Sequence, residues 1–406
     1  MDAQTPTPTP TSTPDRRRAP RGRIALAATT AAVLVAGALA FGAAARTTAA
    51  DPAESALEER LQSLVDAGYP AALASVTRPD GTSIEVSVGD GDLSSDRETP
   101  EDAEVRVGSN TKMFVATVVM QLIEEGAVSL DEPIETYLPG VVTGDGIDGA
   151  AITVRDLLRQ TSGLPESSEV VATDPFGMRD VYISGRDLLD IALAQPATFA
   201  PGDRWEYSNT NYIVLGLLVE RVSQRPLWEQ IDERIVQPLE LDHTYLPVPG
   251  ERELRGAHVE GYHADFPGEL REITDMDPAF GWAAGAVVST PTEMNRFMQA
   301  LLGGELVSEE SVALMQDTVP ADDPFHPDLG YGLGLQTYSL ECGVVWGHGG
   351  DIPGTQTRNA VAPDGTAVTI AVTALPWAIA DPADEAVLLP KYEIVMDALD
   401  ETLCDS

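Results

Sequence analysis

The sequence predicts an α+β fold: an antiparallel sheet drawn from both ends of the chain, flanked by helices and interrupted by a largely helical insertion. Three observations predict it. Strand-like runs joined by turn chemistry occur near residue 80 and again near residue 364, each beside an amphipathic helix. Residues from about 130 to 280 instead show helical periods punctuated by Pro and Gly. Hydrophobic residues make up 43% of the 406, enough for a sizeable core. The economical arrangement puts the sheet part at about 51–130 and 281–406 and the helical part at about 131–280.

The elements follow in chain order. The first 14 residues repeat Thr and Pro, a composition that builds no core, and are expected to be disordered. Arg16, Arg17, Arg18, Arg21 and Arg23 then precede a stretch without charge from Ile24 to Ala45, with small residues around Thr48, Ala49 and Ala50. That is the pattern of an export signal. A membrane anchor over 24–45 is the alternative, since 22 uncharged residues just span a bilayer. Both put the folded part outside the cytoplasm, and the arginine pair leaves Sec and twin-arginine routes open. Ala53–Ala67 reads as an amphipathic helix with Leu57, Leu61, Leu64 and Val65 on one face. Strands at 71–77 and 83–88 follow, joined by Arg78-Pro79-Asp80-Gly81-Thr82. The far end mirrors this with strands at 357–362 and 367–373 around Pro363-Asp364-Gly365, then a helix over 384–403. An oxidising location makes a Cys342–Cys404 bridge the expected state, with two buried free thiols as the alternative.

Charge and cysteine content exclude several classes. With 25 Lys and Arg against 65 Asp and Glu, the net charge is −40. Nucleic acid is therefore not an expected partner, because neutralising a phosphate backbone needs clustered cations. Adhesion to an anionic membrane through a basic face is excluded on the same ground. Two cysteines cannot make a four-cysteine zinc site. His243, His258, His263 and His326 show no metal-ligand spacing, and no Gly-x-Ser-x-Gly elbow is present. Asp90, Asp92, Ser94 and Glu101 imitate a calcium loop only loosely, with Ser95 where that loop needs Gly.

Ser109 and Lys112 carry the chemistry. Arg106-Val107-Gly108-Ser109-Asn110-Thr111-Lys112 leads into Met113–Ile123, apolar nearly all round, which predicts a buried helix. Ser109 falls at its N-cap and Lys112 at its third position, one turn on and on the same face. A helix N-terminus and burial both disfavour a cation, so an amine there is neutral enough to take the serine proton. A capping serine with a snorkelling lysine is the bland alternative. Against it, the chain has only two lysines, Lys112 and Lys391.

Two further segments stand out: Trp205-Glu206-Tyr207-Ser208-Asn209 before an apolar helix from Ile213 to Val222, and Val344-Val345-Trp346-Gly347-His348-Gly349-Gly350-Asp351. The second reads as a strand ending in His, followed by glycines that permit close approach by a ligand. The three segments in this order resemble the serine β-lactamase and D-alanyl-D-alanine carboxypeptidase family, in its class C-like branch. The resemblance continues through Thr153–Pro165, Gly281–Thr290 and Tyr331–Leu335. It implies a β-lactamase/transpeptidase-like fold with a five-stranded antiparallel sheet and the active site between sheet and helical part. It also implies roles: Ser109 as nucleophile, Lys112 as proton acceptor, Tyr207 as proton shuttle to the leaving atom and Asn209 as holder of the substrate's amide. His348, with Gly349 and Gly350 beside it, would bind substrate and donate to the Tyr207 oxygen. Backbone N–H groups of Ser109 and Asp351 would form the oxyanion hole. The implied reaction is acylation of Ser109 and hydrolysis of the acyl-enzyme, without metal or organic cofactor, on a small molecule or a peptidoglycan peptide. Carboxypeptidase activity is the first expectation. Gly349 and Asp351 depart from the His-Thr-Gly pattern, in which a hydroxyl helps bind a terminal carboxylate. Esterase, β-lactamase and D-aminopeptidase activities, and a non-catalytic penicillin-sensing module, therefore stay open.

Overall fold

The computed structural model describes residues 52–406 apart from 96, 98, 169–171, 266–267 and 322–327. The expectations for residues 1–50 and His326 lie outside the described residues. Helix α1 spans Pro52–Asp66 and buries Leu57, Leu61 and Leu64, the stripe its apolar spacing dictates. Strands β1 (Ala71–Thr77) and β2 (Ser83–Gly89) form a hairpin. Asp80 Oδ1 accepts from Thr82 N at 3.0 Å, and Gly81 takes φ +84° at the turn. Helix α2 (Thr111–Glu124) is buried nearly all round, as its sequence requires. The helical part contributes α3 (Asn209–Ser223), and α4 (Pro291–Leu302) returns the chain to the sheet. Strands β3 (Gln336–Leu340), β4 (Gly343–Ile352), β5 (Thr355–Val361) and β6 (Ala367–Val372) and helix α5 (Glu385–Cys404) complete the sheet part.

The strands pair antiparallel in the order β2-β1-β6-β5-β4-β3, with Ala72 opposite Val372 and Thr77 opposite Ala367. First and last strands of the fold thus lie side by side, one strand in from the β2 edge. Two-residue strands, Gly330–Tyr331 and Val319–Pro320, extend the β3 edge, so among the described residues the sheet has eight strands where the resemblance implied five. The additions are short because the outer one ends in Pro320, which has no N–H to offer a further strand.

Side-chain alternation assigns the two faces. Ala72, Ala74, Val76, Val368, Ile370 and Val372 pack with α1 and α5, whereas Leu73, Ala367 and Ala371 join the core around α2, α3 and α4. Phe114 of α2 stacks on Phe297 of α4 with centroids 3.9 Å apart. Helix α2 is thereby held between the sheet and the helical part, with its N-terminus at the junction. At the far end a disulfide joins Cys342 to Cys404. Among the described residues no helix is long and apolar enough to cross a membrane. The loose calcium-loop pattern is explained by Asp92, whose carboxylate accepts from Ser94 and Ser95 in a local turn.

Candidate active site

The chain enters α2 through a short 3-10 turn, Gly108–Asn110, so Ser109 lies one residue before the cap residue Asn110 instead of at the N-cap. Local cap chemistry did not reveal this because Asn110 is held from elsewhere. Its Nδ2 donates to Val107 O (2.8 Å) and Thr357 Oγ1 (2.5 Å), and its Oδ1 accepts from Asn359 Nδ2 (2.5 Å). Gly108 supplies the left-handed φ of +54° that the turn needs. A Cβ on Gly108 would lie 2.8 Å from the Asp351 amide nitrogen, so that amide sits directly against the serine turn.

Lys112 is fully buried, and its Nζ donates to Ser109 Oγ at 2.9 Å, Asn209 Oδ1 at 2.7 Å and Ala284 O at 2.7 Å. Burial lowers its pKa from 10.5 to about 7, against a smaller opposing effect of the Glu166 carboxylate. Ser109 itself is half-buried and reachable from the cleft. The Tyr207 ring lies 4.8 Å from Lys112 Nζ, and its phenol interacts with the Ser109 side chain. Burial raises the phenol well above its ordinary value, so Tyr207 stays protonated.

Asn209 is the first residue of α3, and both ends of its side-chain amide are engaged. Lys112 takes the oxygen, while Nδ2 faces Glu166 Oε2 (3.3 Å) and Ser168 Oγ (3.1 Å). The Glu166 carboxylate also accepts from Asn209 N at 2.8 Å and Ser168 N at 2.7 Å. Sequence reasoning missed Glu166, Ser168 and the Ala284 carbonyl. The first two adjoin the Thr153–Pro165 block and the third lies inside Gly281–Thr290, so the signal was present without a role attached to it.

Strand β4 differs from expectation. It does not end at His348 but runs on to Ile352, with both glycines inside it. His348 Nδ1 contacts Gly349 O at 2.6 Å and Nε2 contacts Tyr331 Oη at 3.1 Å. A carbonyl only accepts, so Nδ1 carries the proton and Nε2 accepts from Tyr331. Burial, first, and the nearby Lys112 lower the imidazole pKa to about 3. The ring is therefore neutral and 1% exposed, and the expected donation from His348 to Tyr207 is replaced by these two bonds. Gly350 faces the serine turn, where a Cβ would meet Val107 O at 2.0 Å. Gly349 and Asp351 alternate to the other side of the strand. There Arg358, directly opposite Gly349, lies over it and pairs with Asp351 at 3.0 and 3.3 Å. The Asp351 carboxylate is thus neutralised within the sheet, which removes the repulsion its sequence position suggested.

The cleft in front of Ser109 has a volume of about 360 Å³. Its lining includes Ser167, Ser168, Asn209, His263, Asp265, Leu375 and Trp377. The Beta-lactamase family model matches residues 43–389. The solved structure of a D-stereospecific amidohydrolase from Streptomyces sp. is 34% identical, with a TM-score of 0.73 over 83% of this chain and 97% of that one. A D-amino acid amidase from Ochrobactrum anthropi SV3, complexed with D-phenylalanine, shares the fold with a TM-score of 0.76 at 24% identity, over 88% of this chain and 100% of that one. Among curated proteins, the putative penicillin-binding protein PbpX of Bacillus subtilis is 28% identical over 65% of this chain and 60% of its own length.

Proposed function

The chain belongs to the Beta-lactamase family of serine hydrolases, and from that premise we propose that it is an acyl-serine amidohydrolase acting outside the cytoplasm. The observation that carries the reading is the 2.9 Å contact between Ser109 Oγ and a lysine whose pKa burial has brought to about 7. Ser109 Oγ attacks the substrate carbonyl carbon as its proton passes to Lys112 Nζ. The oxyanion forms against the backbone N–H groups of Ser109 and Asp351. Collapse breaks the carbon–nitrogen bond as Tyr207 protonates the leaving amine, and Tyr207 regains a proton from Lys112. Water then hydrolyses the ester. Asn209 holds the lysine, a role distinct from the substrate contact first expected of it.

Charge supports an amide of a neutral or ammonium-bearing acyl group over a peptide with a terminal carboxylate. Among the described residues lining the cleft none is Lys or Arg, and its two carboxylates are already paired, Asp265 with Arg271 and Asp351 with Arg358. His348 is neutral, and Arg358 is committed to Asp351. The likeness to the Streptomyces amidohydrolase points the same way. Carboxypeptidase action on D-alanyl-D-alanine peptides, the first expectation from the motifs, is the second reading and has the likeness to PbpX in its favour. The Cys342–Cys404 disulfide supports export, since such bonds persist in oxidising compartments.

The test is a hydrolysis panel of D-amino-acid amides, D-alanyl-D-alanine peptides, a cephalosporin and short-chain esters, with the acyl-enzyme followed by mass spectrometry. Amide turnover that falls at least 10³-fold in Ser109→Ala is expected. Turnover of the D-alanyl-D-alanine peptides alone would replace the amidase reading with the carboxypeptidase one. A stable adduct without release would make the protein a sensor.

A further inference from the structure

Gln160 is buried without solvent exposure and adopts φ +63°, a left-handed conformation that a residue with a side chain holds only when its surroundings impose it. Its bonds converge on one target. Gln160 O accepts from Glu206 N at 3.0 Å, and Gln160 Oε1 accepts from Ser208 N at 3.0 Å. The residues on either side of Tyr207 are therefore both tied to this one glutamine. The same Oε1 accepts from Asn211 Nδ2 at 2.5 Å, which adds the first turn of α3, the turn that carries Asn209. Gln160 Nε2 lies beside the Tyr331 hydroxyl without an aligned bond, and Tyr331 in turn orders His348.

The glutamine is itself anchored. Thr153 and Asp156 form a capping box at the start of helix Val154–Leu158. Asp156 then accepts from Thr161 through both its backbone oxygen (2.8 Å) and its carboxylate (2.9 Å). Gly202 N bonds Thr161 O at 2.8 Å and Thr198 N bonds Gly163 O at 3.0 Å, so the loop leading to Tyr207 hangs from this turn along its length. Gln160 lies inside the Thr153–Pro165 block singled out in the sequence, but no role was attached to it there.

We propose that Gln160 is the positioning residue for Tyr207: its backbone and side-chain oxygens clamp the two flanking amides and so fix the phenol against Ser109 and Lys112. The inference rests on the reading that Tyr207 protonates the leaving group. Gln160→Gly removes the side-chain clamp while suiting the positive φ, so the fold is expected to persist. The assay is hydrolysis of a D-phenylalanine p-nitroanilide, whose anilide nitrogen must be protonated to leave, beside p-nitrophenyl acetate, whose phenolate leaves unaided.

Gln160→Gly is expected to lower kcat on the anilide on the order of 10- to 100-fold with KM little changed, and to affect the ester less than about threefold. In a Tyr207→Phe background the same substitution is expected to have almost no further effect, because the group it positions is gone. Full additivity of the two losses, or equal losses on anilide and ester, would overturn the proposal. No loss in Tyr207→Phe alone would instead sink the catalytic reading of Tyr207, so the two failures are distinguishable. If Gln160→Gly does not fold, Gln160→Met, similar in shape and lacking the acceptor oxygen, carries the same cycle with the same outcomes.

Discussion

A buried lysine whose three hydrogen-bond partners are all neutral is costly to protonate, and that cost is what makes Lys112 useful. The sign follows from its depressed pKa. Between about 7 and the ordinary value of 10.5 the unfolded chain binds a proton that the folded one does not, so stability from this group rises with pH across that window. Below about 7 the full cost is present. For catalysis, kcat/KM should rise through an apparent pKa near 7 and level off above it. His348, near 3, contributes no titration in that range. Lys112→Arg should lose activity on the order of 10²- to 10⁴-fold at every pH, because a guanidinium does not deprotonate. A pH-independent kcat/KM from 5 to 9, or an active Arg variant, would refute the base assignment. The Ser109–Lys112 pairing was legible because both residues lie within one turn of a strongly apolar period. The state of His348 was not, because its partner Tyr331 comes from a different strand.

At the scale of elements, the site is a joint between the α2 entry turn and β4, and β4 carries its glycines there for unequal reasons. A Cβ on Gly350 would meet the Val107 carbonyl oxygen at 2.0 Å, backbone against backbone, whereas one on Gly349 would meet the end of the Arg358 side chain at 3.2 Å. Gly350→Ala should therefore destabilise by ~1–3 kcal/mol and push the Asp351 amide away from Ser109, reducing covalent labelling by an acylating probe. Gly349→Ala should stay within about 1 kcal/mol of the parent and label normally. Denaturant melts beside timed labelling distinguish them, and equal behaviour of the two variants would contradict this account of the joint. Strand positions were readable where alternation and turn residues agree, as in Ala71–Thr77, which is observed with the bounds expected. The end of β4 was misjudged because the glycines read as following a strand that ends at His348. Here they are paired residues, Gly349 opposite Arg358 and Gly350 opposite Thr357, whose bareness serves neighbours far away in sequence.

For the whole molecule, the central problem is that the sheet is assembled from the two ends of the chain, with the helical part emerging between them. Pairing of β1 with β6 closes a loop of almost 300 residues, and order in the last strands depends on α5 staying docked. That dependence gives the Cys342–Cys404 disulfide its place: it ties the β3–β4 turn to the last turn of α5, across a separation of 62 residues. Constraining the unfolded chain over such a loop is worth ~4 kcal/mol in the chain-entropy account, with a usual range of about 2–5. The bond lies at the start of β4, whereas the Asp351 amide lies near the strand's other end. Stability and activity should accordingly separate. Cys342→Ser with Cys404→Ser should lower the unfolding free energy by about that amount, read as an earlier denaturation midpoint, while kcat/KM at 25 °C stays within about twofold. Because the protein is strongly acidic, the loss should be larger at low ionic strength, where carboxylate repulsion adds to the tendency of the ends to part. Unfolding with and without reductant at 20 mM and 500 mM salt measures both effects. A double serine variant as stable as the parent would mean that packing of α5 alone closes the fold, and loss of activity without loss of stability would mean the bridge acts on β4 directly.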